Sequence, residues 1–202
     1  VVSDQLYSNV LKAEIPFYVY VTSWDHPPKF TRFLKHGVKY LVWGEGMRED
    51  LIDLHGINED NIKVVGSSQF SNLHEYLATE NYEKPEKTSK YIYYIATCGY
   101  PLILNQELSV IRKLSEILYS VDPLVKILFR PYPLFGDQGE YDELSALKNI
   151  VFDAYDPQSK KVFFNEDDIL HKYDRIQNAE AVFHLGTTMG LEAAFFDVPV
   201  YC

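Results

Sequence analysis

One stretch near the end of the sequence decides the fold: residues 181–202, which read Ala-Val-Phe-His-Leu-Gly-Thr-Thr-Met-Gly-Leu-Glu-Ala-Ala-Phe-Phe-Asp-Val-Pro-Val-Tyr-Cys. Its opening apolar run is short enough to be a buried parallel strand. Gly186 permits a sharp turn, and the hydroxyl of Thr187 or Thr188 can cap a following helix. Pro199 ends that helix, because proline cannot continue one. The stretch therefore predicts a strand, a tight turn, a short helix and a second strand.

The turn in this stretch is a candidate anion site. A helix that begins directly after a strand presents free N–H groups and the positive end of its dipole, which suits phosphate above all. Glu192 lies about one helical turn further on, where its carboxylate could accept hydrogen bonds from a sugar diol. The simpler interpretation is a capped crossover helix in a parallel sheet, with Glu192 solvated. These residues alone leave both interpretations open.

The composition describes a folded and acidic protein. Hydrophobic residues make up 47% of the 202 residues and aromatic residues 15%, which excludes intrinsic disorder. The chain has 29 acidic and 19 basic residues, and neither half is basic. Without a basic surface to neutralise phosphates, we expect no nucleic-acid partner and at most peripheral membrane association.

The cysteines and the chain ends suggest where the protein works. Cys98 and Cys202 form neither a disulfide framework nor a zinc site, which predicts reduced thiols and a cytoplasmic protein, with the inner face of the membrane as a further location. No apolar run approaches the ~20 residues of a membrane span, and no signal peptide opens the chain. The acidic residues 166–168 are interpreted as a solvated first helical turn, so no metal is expected. Both ends look cut, and we expect a fragment.

Strand and helix patterns alternate along the chain, which predicts an α/β architecture. Residues 75–90 lose the apolar periodicity and gain charge, so we interpret them as a linker between a first domain at 1–74 and a second at 91–202. Strands are predicted at residues 15–22, 39–44 and 62–68, and then at 91–97, 125–129 and 150–152. Helices are predicted at residues 30–35, 45–55, 141–147 and 163–178, with Gly56 as a C-cap and another helix capped by Asn105.

Asp25 and His26 are candidate catalytic residues. Polar groups at the carboxyl end of a parallel strand lie where α/β proteins bind ligands, so the two could act as a base and its partner. Adjacent residues do not orient each other well, however. The alternative is that Asp25 caps the loop predicted by the double proline Pro27-Pro28.

The final stretch also resembles the nucleotide-binding segment of GT-B glycosyltransferases. In that family a small or Gly-rich turn precedes a helix with a glutamate, and a Gly-x-Pro-Val strand entry follows. The resemblance implies that Glu192 binds the nucleotide ribose and that residues 186–188 bind the phosphates. Retaining members carry another glutamate eight positions before the ribose glutamate, where this chain has His184 as a donor-site residue. Asp197 stands in place of the usual glycine.

A second resemblance covers about fifty residues: Ser23-Trp-Asp25, Leu41-Val-Trp-Gly-Glu45, Leu54-His-Gly-Ile57 and Val64-Val-Gly-Ser67. This block is similar to the end of the N-terminal domain in bacterial surface-polysaccharide and glycerophosphate-transferase relatives. These relatives often carry Arg/Lys-Pro-His-Pro in the second domain, and the histidine contacts nucleotide phosphate. Here Tyr132 replaces that histidine. Either Arg130 supplies the charge, or donor binding differs or is weak.

Together the resemblances imply a GT-B protein with two Rossmann-like lobes, the first incomplete. The implied activity is transfer of a sugar or polyol phosphate from a nucleotide-activated donor to a surface polysaccharide or a glycan or lipid-linked acceptor. The donor is a substrate, and no separate cofactor is expected. If the enzyme inverts, Asp25 or His26 would be its base. The alternatives are a nucleotide-sugar 2-epimerase-like enzyme and a non-catalytic nucleotide-binding or scaffold domain. A fragment of this kind is expected to be inactive by itself.

Overall fold

The computed structural model describes residues 8–9, 12, 15–30, 33–79, 90–97, 101–132, 138–153 and 166–202. The chain divides into two compact units, Val1–Thr79 and Glu80–Cys202. Each unit contains a sheet whose described strands all pair in parallel, with helices in the connections. The predicted α/β class with Rossmann-like parallel sheets is confirmed.

The first unit contains a three-stranded sheet in the order β1-β2-β3. Its strands are rich in β-branched and aromatic residues, which fit a pleated, half-buried surface. Val42 and Leu51 are completely buried where the sheet packs against the second helix. The elements are β1 (Phe17–Tyr20), α1 (His26–Lys29), β2 (Val38–Val42), α2 (Glu45–Asp53), β3 (Ile62–Val64) and α3 (Ser71–Leu77), with short 3₁₀ helices at Glu59–Asn61 and Ser68–Phe70.

The first helix lies where the sequence predicted a loop. Pro27 and Pro28 are in the first turn of α1, where a backbone N–H has no intrahelical partner and proline is therefore tolerated. The predicted helix at 30–35 is wrong for the described residues of that range, which are not helical. Gly56 has φ 62° and its N–H donates to the carbonyl of Ile52, so the predicted C-cap is present.

The second unit contains a five-stranded sheet in the order β6-β5-β4-β7-β8. Counted from its first strand, this is the order 3-2-1-4-5, which is that of a Rossmann sheet. Each strand pairs in parallel with its neighbours, as expected when helices connect successive strands. The elements are β4 (Tyr91–Ile95), α4 (Pro101–Val121), β5 (Lys126–Arg130), β6 (Ile150–Phe152), α5 (Glu166–Asn178), β7 (Ala181–His184), α6 (Met189–Phe195) and β8 (Val200–Tyr201).

Helix α4 covers one face of this sheet. Its apolar residues Leu104, Leu108 and Ile111 belong to the same buried cluster as Tyr94 and Phe129 of the sheet. The helix begins at Pro101, so the prediction that Asn105 caps it is wrong. Proline is favoured in the first turn, for the same reason as in α1. On the opposite face, the hydroxyl of Tyr91 donates to the carbonyl of Arg175 in α5 at 2.7 Å.

Several predicted boundaries change. Helix α3 continues to Leu77, so the first residues of the predicted 75–90 linker are helical. Residues 80–89 of that linker lie outside the described residues, as do residues 163–165 of the helix predicted at 163–178. The helix predicted at 141–147 is a 3₁₀ helix, Gln138–Ala146. None of the helices in the described parts of the chain is both long and apolar enough to span a bilayer.

Candidate functional site at the carboxyl edge of the second sheet

The strand order places a topological switch point, the usual position of a ligand-binding crevice, between β4 and β7. The chain leaves β4 through α4 toward β5 at one side, whereas it leaves β7 through α6 toward β8 at the other. The loops after these two neighbouring strands therefore diverge. In open α/β sheets, ligands bind outside the carboxyl ends of the strands at such a switch point. Thr97 follows β4, and Leu185 with Gly186 follows β7, so these residues mark the candidate site.

A hydrogen bond joins the two strand ends. The N–H of Leu185 donates to Oγ1 of Thr97 at 3.2 Å. Gly186 has φ 130°, a conformation that favours glycine, and a Cβ there would lie 3.9 Å from Cγ2 of Thr97. Any side chain at position 186 would therefore be strained by the backbone rather than by a lack of space.

His184 holds the turn that the sequence predicts to bind phosphate. Its Nδ1 accepts hydrogen bonds from the N–H groups of Gly186 at 2.9 Å and of Thr187 at 3.2 Å. A ring nitrogen that accepts must be unprotonated, so the imidazole is neutral and carries its proton on Nε2. Burial lowers the pKa of His184, which agrees with the neutral form. Two of the N–H groups expected to face an anion are thus bonded within the chain.

Gly190 makes room for this histidine. A Cβ at position 190 would lie 2.2 Å from Nε2 of His184, which is far inside van der Waals contact. Gly190 is in the first turn of α6 and is buried. In the sequence, the only signal for the His184 acceptor and for the space at Gly190 is a histidine placed shortly before a glycine turn. A side chain that accepts backbone N–H groups locally needs this short spacing.

The two threonines of the turn contribute little to the helix cap. The N–H of Met189 donates to Oγ1 of Thr187 at 3.4 Å, which is long for a hydrogen bond. Thr188 precedes α6, and its side chain makes no capping hydrogen bond. The prediction that Thr187 or Thr188 caps the helix therefore holds only through this long contact of Thr187.

Glu192 is buried, so the interpretation of this residue as solvated is wrong. Nζ of Lys172 in α5 donates to Oε1 of Glu192 at 2.8 Å, and the pair joins α5 to α6. Burying a carboxylate is costly unless a charge and a hydrogen bond compensate, and Lys172 provides both. The role of Glu192 in ribose binding remains a prediction. A bound ribose would have to share this carboxylate with Lys172.

Arg130 lies at the carboxyl end of β5, as predicted, and is buried there. Its Nη1 donates to Oδ2 of Asp153 and to the hydroxyl of Tyr93, both at 3.2 Å. The Tyr93 hydroxyl donates to Oδ2 of Asp153 at 2.6 Å, and burial raises the pKa of this phenol. The positive charge of the guanidinium is therefore compensated within the protein. The role of Arg130 in binding donor phosphate remains a prediction, and the ion pair with Asp153 counts against it.

Tyr132 is two residues beyond Arg130 and packs, partly buried, against the apolar cluster under α4. The following residues 133–137 lie outside the described residues. The predicted contact of Tyr132 with nucleotide phosphate therefore remains a prediction.

A buried carboxyl that the sequence did not single out supports the other strand of the site. Glu107 of α4 is completely buried, and its Oε1 accepts the N–H of Thr97 at 2.9 Å. Its Oε2 is also buried and completes no hydrogen bond with the described residues. Burial raises the pKa of Glu107, because desolvation disfavours the charged form. The pattern of apolar residues in α4 gave no signal for this role, since Glu107 stands among residues of a helical core face.

The structure places Asp25 and His26 at the carboxyl edge of the first sheet and gives Asp25 its own partners. The Asp25 carboxylate accepts hydrogen bonds from Oγ of Ser23 at 2.6 Å and from Nζ of Lys29. Partial burial raises the pKa of Asp25, but these hydrogen bonds and the charge of Lys29 outweigh it and hold the pKa below its usual value. The ring of His26 lies 4.7 Å from that of Phe30. A catalytic role for either residue remains a prediction.

Comparisons with known proteins give distant structural neighbours. No protein-family profile matches the chain, and no curated protein matches it by sequence. One solved structure is a mutant of TarM from S. aureus in complex with fondaparinux, alpha-GlcNAc-glycerol and UDP, with 13% identity, a TM-score of 0.46, and coverage of 87% of this chain and 30% of that one. Another is UDP-GlcNAc 2-epimerase from Methanocaldococcus jannaschii, with 18% identity, a TM-score of 0.46, and coverage of 82% of this chain and 46% of that one.

This chain spans less than half the length of either neighbour.

Proposed function

We propose that this chain belongs to a GT-B glycosyltransferase-like protein that binds a nucleotide-activated donor at the carboxyl edge of its second sheet. The implied reaction is transfer of a sugar or polyol phosphate to a glycan or lipid-linked acceptor. One observation supports the proposal above the others: the parallel order β6-β5-β4-β7-β8, with its switch point between Thr97 and Gly186. Sheets of this order bind nucleotides at that crevice.

The donor would meet groups that are already bonded within the chain. A diphosphate at the turn would compete with Nδ1 of His184 for the N–H groups of Gly186 and Thr187. A ribose at Glu192 would compete with Lys172. Each lost internal bond reduces the net free energy of binding, so we expect the donor to bind weakly unless the diphosphate engages Lys172 as well.

A thermal-shift screen with UDP, CDP, GDP and inorganic pyrophosphate tests the proposal. A nucleotide at a hundred times its dissociation constant stabilises the folded state by about 2.7 kcal/mol, which gives a clear increase in Tm. The variant Glu192→Gln should weaken nucleotide binding by about tenfold or more, because a hydrogen bond to a charged group is lost. Glu180→Gln is the matched control, since Glu180 is exposed and directly precedes β7, at the amino end of the strand. If no nucleotide changes the Tm, the proposed donor site is wrong.

The second candidate function is a non-catalytic nucleotide-binding or scaffold domain. The internal bonds of His184, Lys172 and Asp153 favour it, because they occupy the groups that a donor would need. Nucleotide binding without turnover in the presence of a polyol or glycan acceptor would support this role. Conversion of a nucleotide sugar without any acceptor would instead indicate the epimerase-like reaction.

A further inference from the structure

The carboxyl edge of the first sheet carries a cluster of polar and aromatic residues around Tyr20. Tyr20 is the last residue of β1, Trp43 directly follows β2, and residues 66–68 form the turn after β3. Trp24 is exposed on the loop after β1, so both tryptophans of the chain lie at this edge. Aromatic side chains with a few convergent polar groups are typical of small-molecule sites.

Hydrogen-bond donors converge on the phenol oxygen of Tyr20. The N–H of Ser68 donates to it at 2.9 Å, and Oγ of Ser68 lies 3.3 Å away. Nε1 of Trp43 and Oγ of Ser67 are buried and complete no hydrogen bond with the described residues, yet both stabilise the charged form of Tyr20. Among the described residues, the acceptor of the phenol proton is the carbonyl oxygen of Gly66, at a long 3.4 Å.

This arrangement suits a phenolate better than a phenol. A neutral hydroxyl has two lone pairs and one proton to place, whereas a phenolate oxygen only accepts. Loss of the proton would let the oxygen accept from Trp43 and Ser67 as well, at the cost only of the long contact to Gly66. Buried donors without a partner cost free energy, so their presence favours the ionised form.

The electrostatics agree with this geometry. Partial burial raises the pKa of Tyr20, but the two hydrogen bonds of Ser68 and the nearby donors of Ser67 and Trp43 outweigh it, and the pKa falls below its ordinary value. Among the described residues, no charged side chain contributes to this change. The nearest carboxylate in sequence, Asp25, is bonded to Ser23 and Lys29 instead.

We propose that Tyr20 is a proton-transfer residue of the first unit, which accepts a proton from a hydroxyl of a bound sugar or polyol. In this step the O–H bond of the ligand breaks, its electron pair stays on the ligand oxygen, and the proton forms the O–H bond of a neutral tyrosine. Tyrosine is an established general acid and base. The ligand class rests on the proposed function, whereas the donors around the Tyr20 phenol belong to the first unit alone and do not need the nucleotide site of the second.

Nitration by tetranitromethane at pH 8, followed by peptide mass spectrometry, tests this inference, because the reagent attacks the phenolate. Tyr18 is the matched control: it is two residues upstream on the same strand and 53% exposed, more than Tyr20. We expect Tyr20 to be nitrated before Tyr18, although accessibility alone predicts the reverse order. A 13Cζ-tyrosine NMR titration should place the midpoint of Tyr20 below pH 10, with little change between low and high salt, since neutral donors cause the shift.

Two variants at position 68 separate the donors. Ser68→Ala removes only the hydroxyl, whereas Ser68→Pro also removes the N–H. The backbone tolerates proline, because Ser68 begins a 3₁₀ helix and Ser67 before it is extended, with φ −103° and ψ 119°. We expect the Tyr20 midpoint to rise in Ser68→Ala and to rise further in Ser68→Pro, because the second variant removes both donors of residue 68. Nitration of Tyr18 first, or a Tyr20 midpoint at or above pH 10 in the wild type, would overturn the inference.

Discussion

His184 determines which backbone groups of the turn after β7 are left for a ligand. Its Nδ1 accepts from two N–H groups only while the ring is neutral. Burial lowers the pKa of His184 in the folded state, whereas the pKa of histidine in an unfolded chain is about 6.5. In the pH window below this value the unfolded chain binds the proton more readily. The free energy of unfolding should therefore fall as the pH falls.

The first prediction is that acid destabilises the wild type more than His184→Gln. Glutamine still offers an acceptor oxygen but does not titrate, so the loss of stability between about pH 7.5 and pH 5 should be smaller in the variant. Urea unfolding at both pH values measures this difference. His36→Gln is the control, because His36 is exposed in the first unit. Equal pH dependence in wild type and His184→Gln would contradict the assigned hydrogen bonds.

The second prediction concerns Glu107, for which pH acts in the opposite direction. Its pKa is raised in the folded state from the ordinary 4.5, so its contribution to stability is fully present below that value and is lost as the pH rises through the folded pKa. Glu107→Gln keeps an oxygen for the N–H of Thr97 and removes the buried charge. We expect the variant to be more stable than the wild type at pH 8 and to lose less stability between pH 4.5 and pH 8. A variant that is less stable at pH 8 would show that the charged form is needed.

At the scale of secondary-structure elements, one ion pair fixes the helix that carries the turn. Helix α6 has only seven residues, which is too short to be stable by itself. The Lys172–Glu192 pair joins it to α5, and the rings of Tyr173 and Phe196 meet beside this pair at 5.7 Å between centroids. The position of the turn therefore depends on α5 as well as on β7.

The third prediction is that Lys172→Met destabilises the protein by about 3 kcal/mol, because it leaves Glu192 buried without a compensating charge. The double variant Lys172→Met, Glu192→Leu should recover most of this loss, since neither charge remains. Lys113→Met is the control: its partner Glu116 is solvent-exposed, and such surface pairs contribute little. Urea unfolding of the wild type, the single variants Lys172→Met and Glu192→Leu, and the double variant measures the coupling. If the changes in the free energy of unfolding simply add in the double variant, the two charges do not stabilise each other and the ion-pair interpretation is wrong.

Sequence reasoning predicted the elements well where the local pattern decides the structure. The strands β4 and β6 and the glycine cap at Gly56 follow from alternation, apolar runs and turn chemistry. It failed where distant residues decide. Pro27 and Pro28, interpreted as loop residues, lie in the first turn of α1, and Glu192 is paired across helices rather than solvated. Asp197 takes φ 54° at the end of α6, a left-handed conformation that glycine adopts most easily.

At the scale of the whole molecule, the fourth prediction concerns the connection between the two units. Limited proteolysis should cut first between residue 78, after the end of α3, and residue 90, before β4, because this segment is charged and lacks apolar periodicity. Mass spectrometry of the first fragments measures the cut sites. First cuts before residue 78 or after residue 90 would show that the predicted linker is misplaced.

The fifth prediction is that each unit gives its own unfolding transition, since each has its own apolar core. Both tryptophans, Trp24 and Trp43, belong to the first unit, so tryptophan fluorescence reports that unit alone, whereas far-UV circular dichroism reports both. Lys172→Met lies in the second unit. It should therefore shift the circular dichroism curve to lower urea and leave the fluorescence midpoint unchanged. The variant Trp43→Phe, which retains Trp24, is the control for the comparison of fluorescence with circular dichroism. If the fluorescence midpoint moves together with the circular dichroism curve in Lys172→Met, the chain unfolds as one cooperative unit, and the stability effects predicted for either unit must be measured on the whole chain.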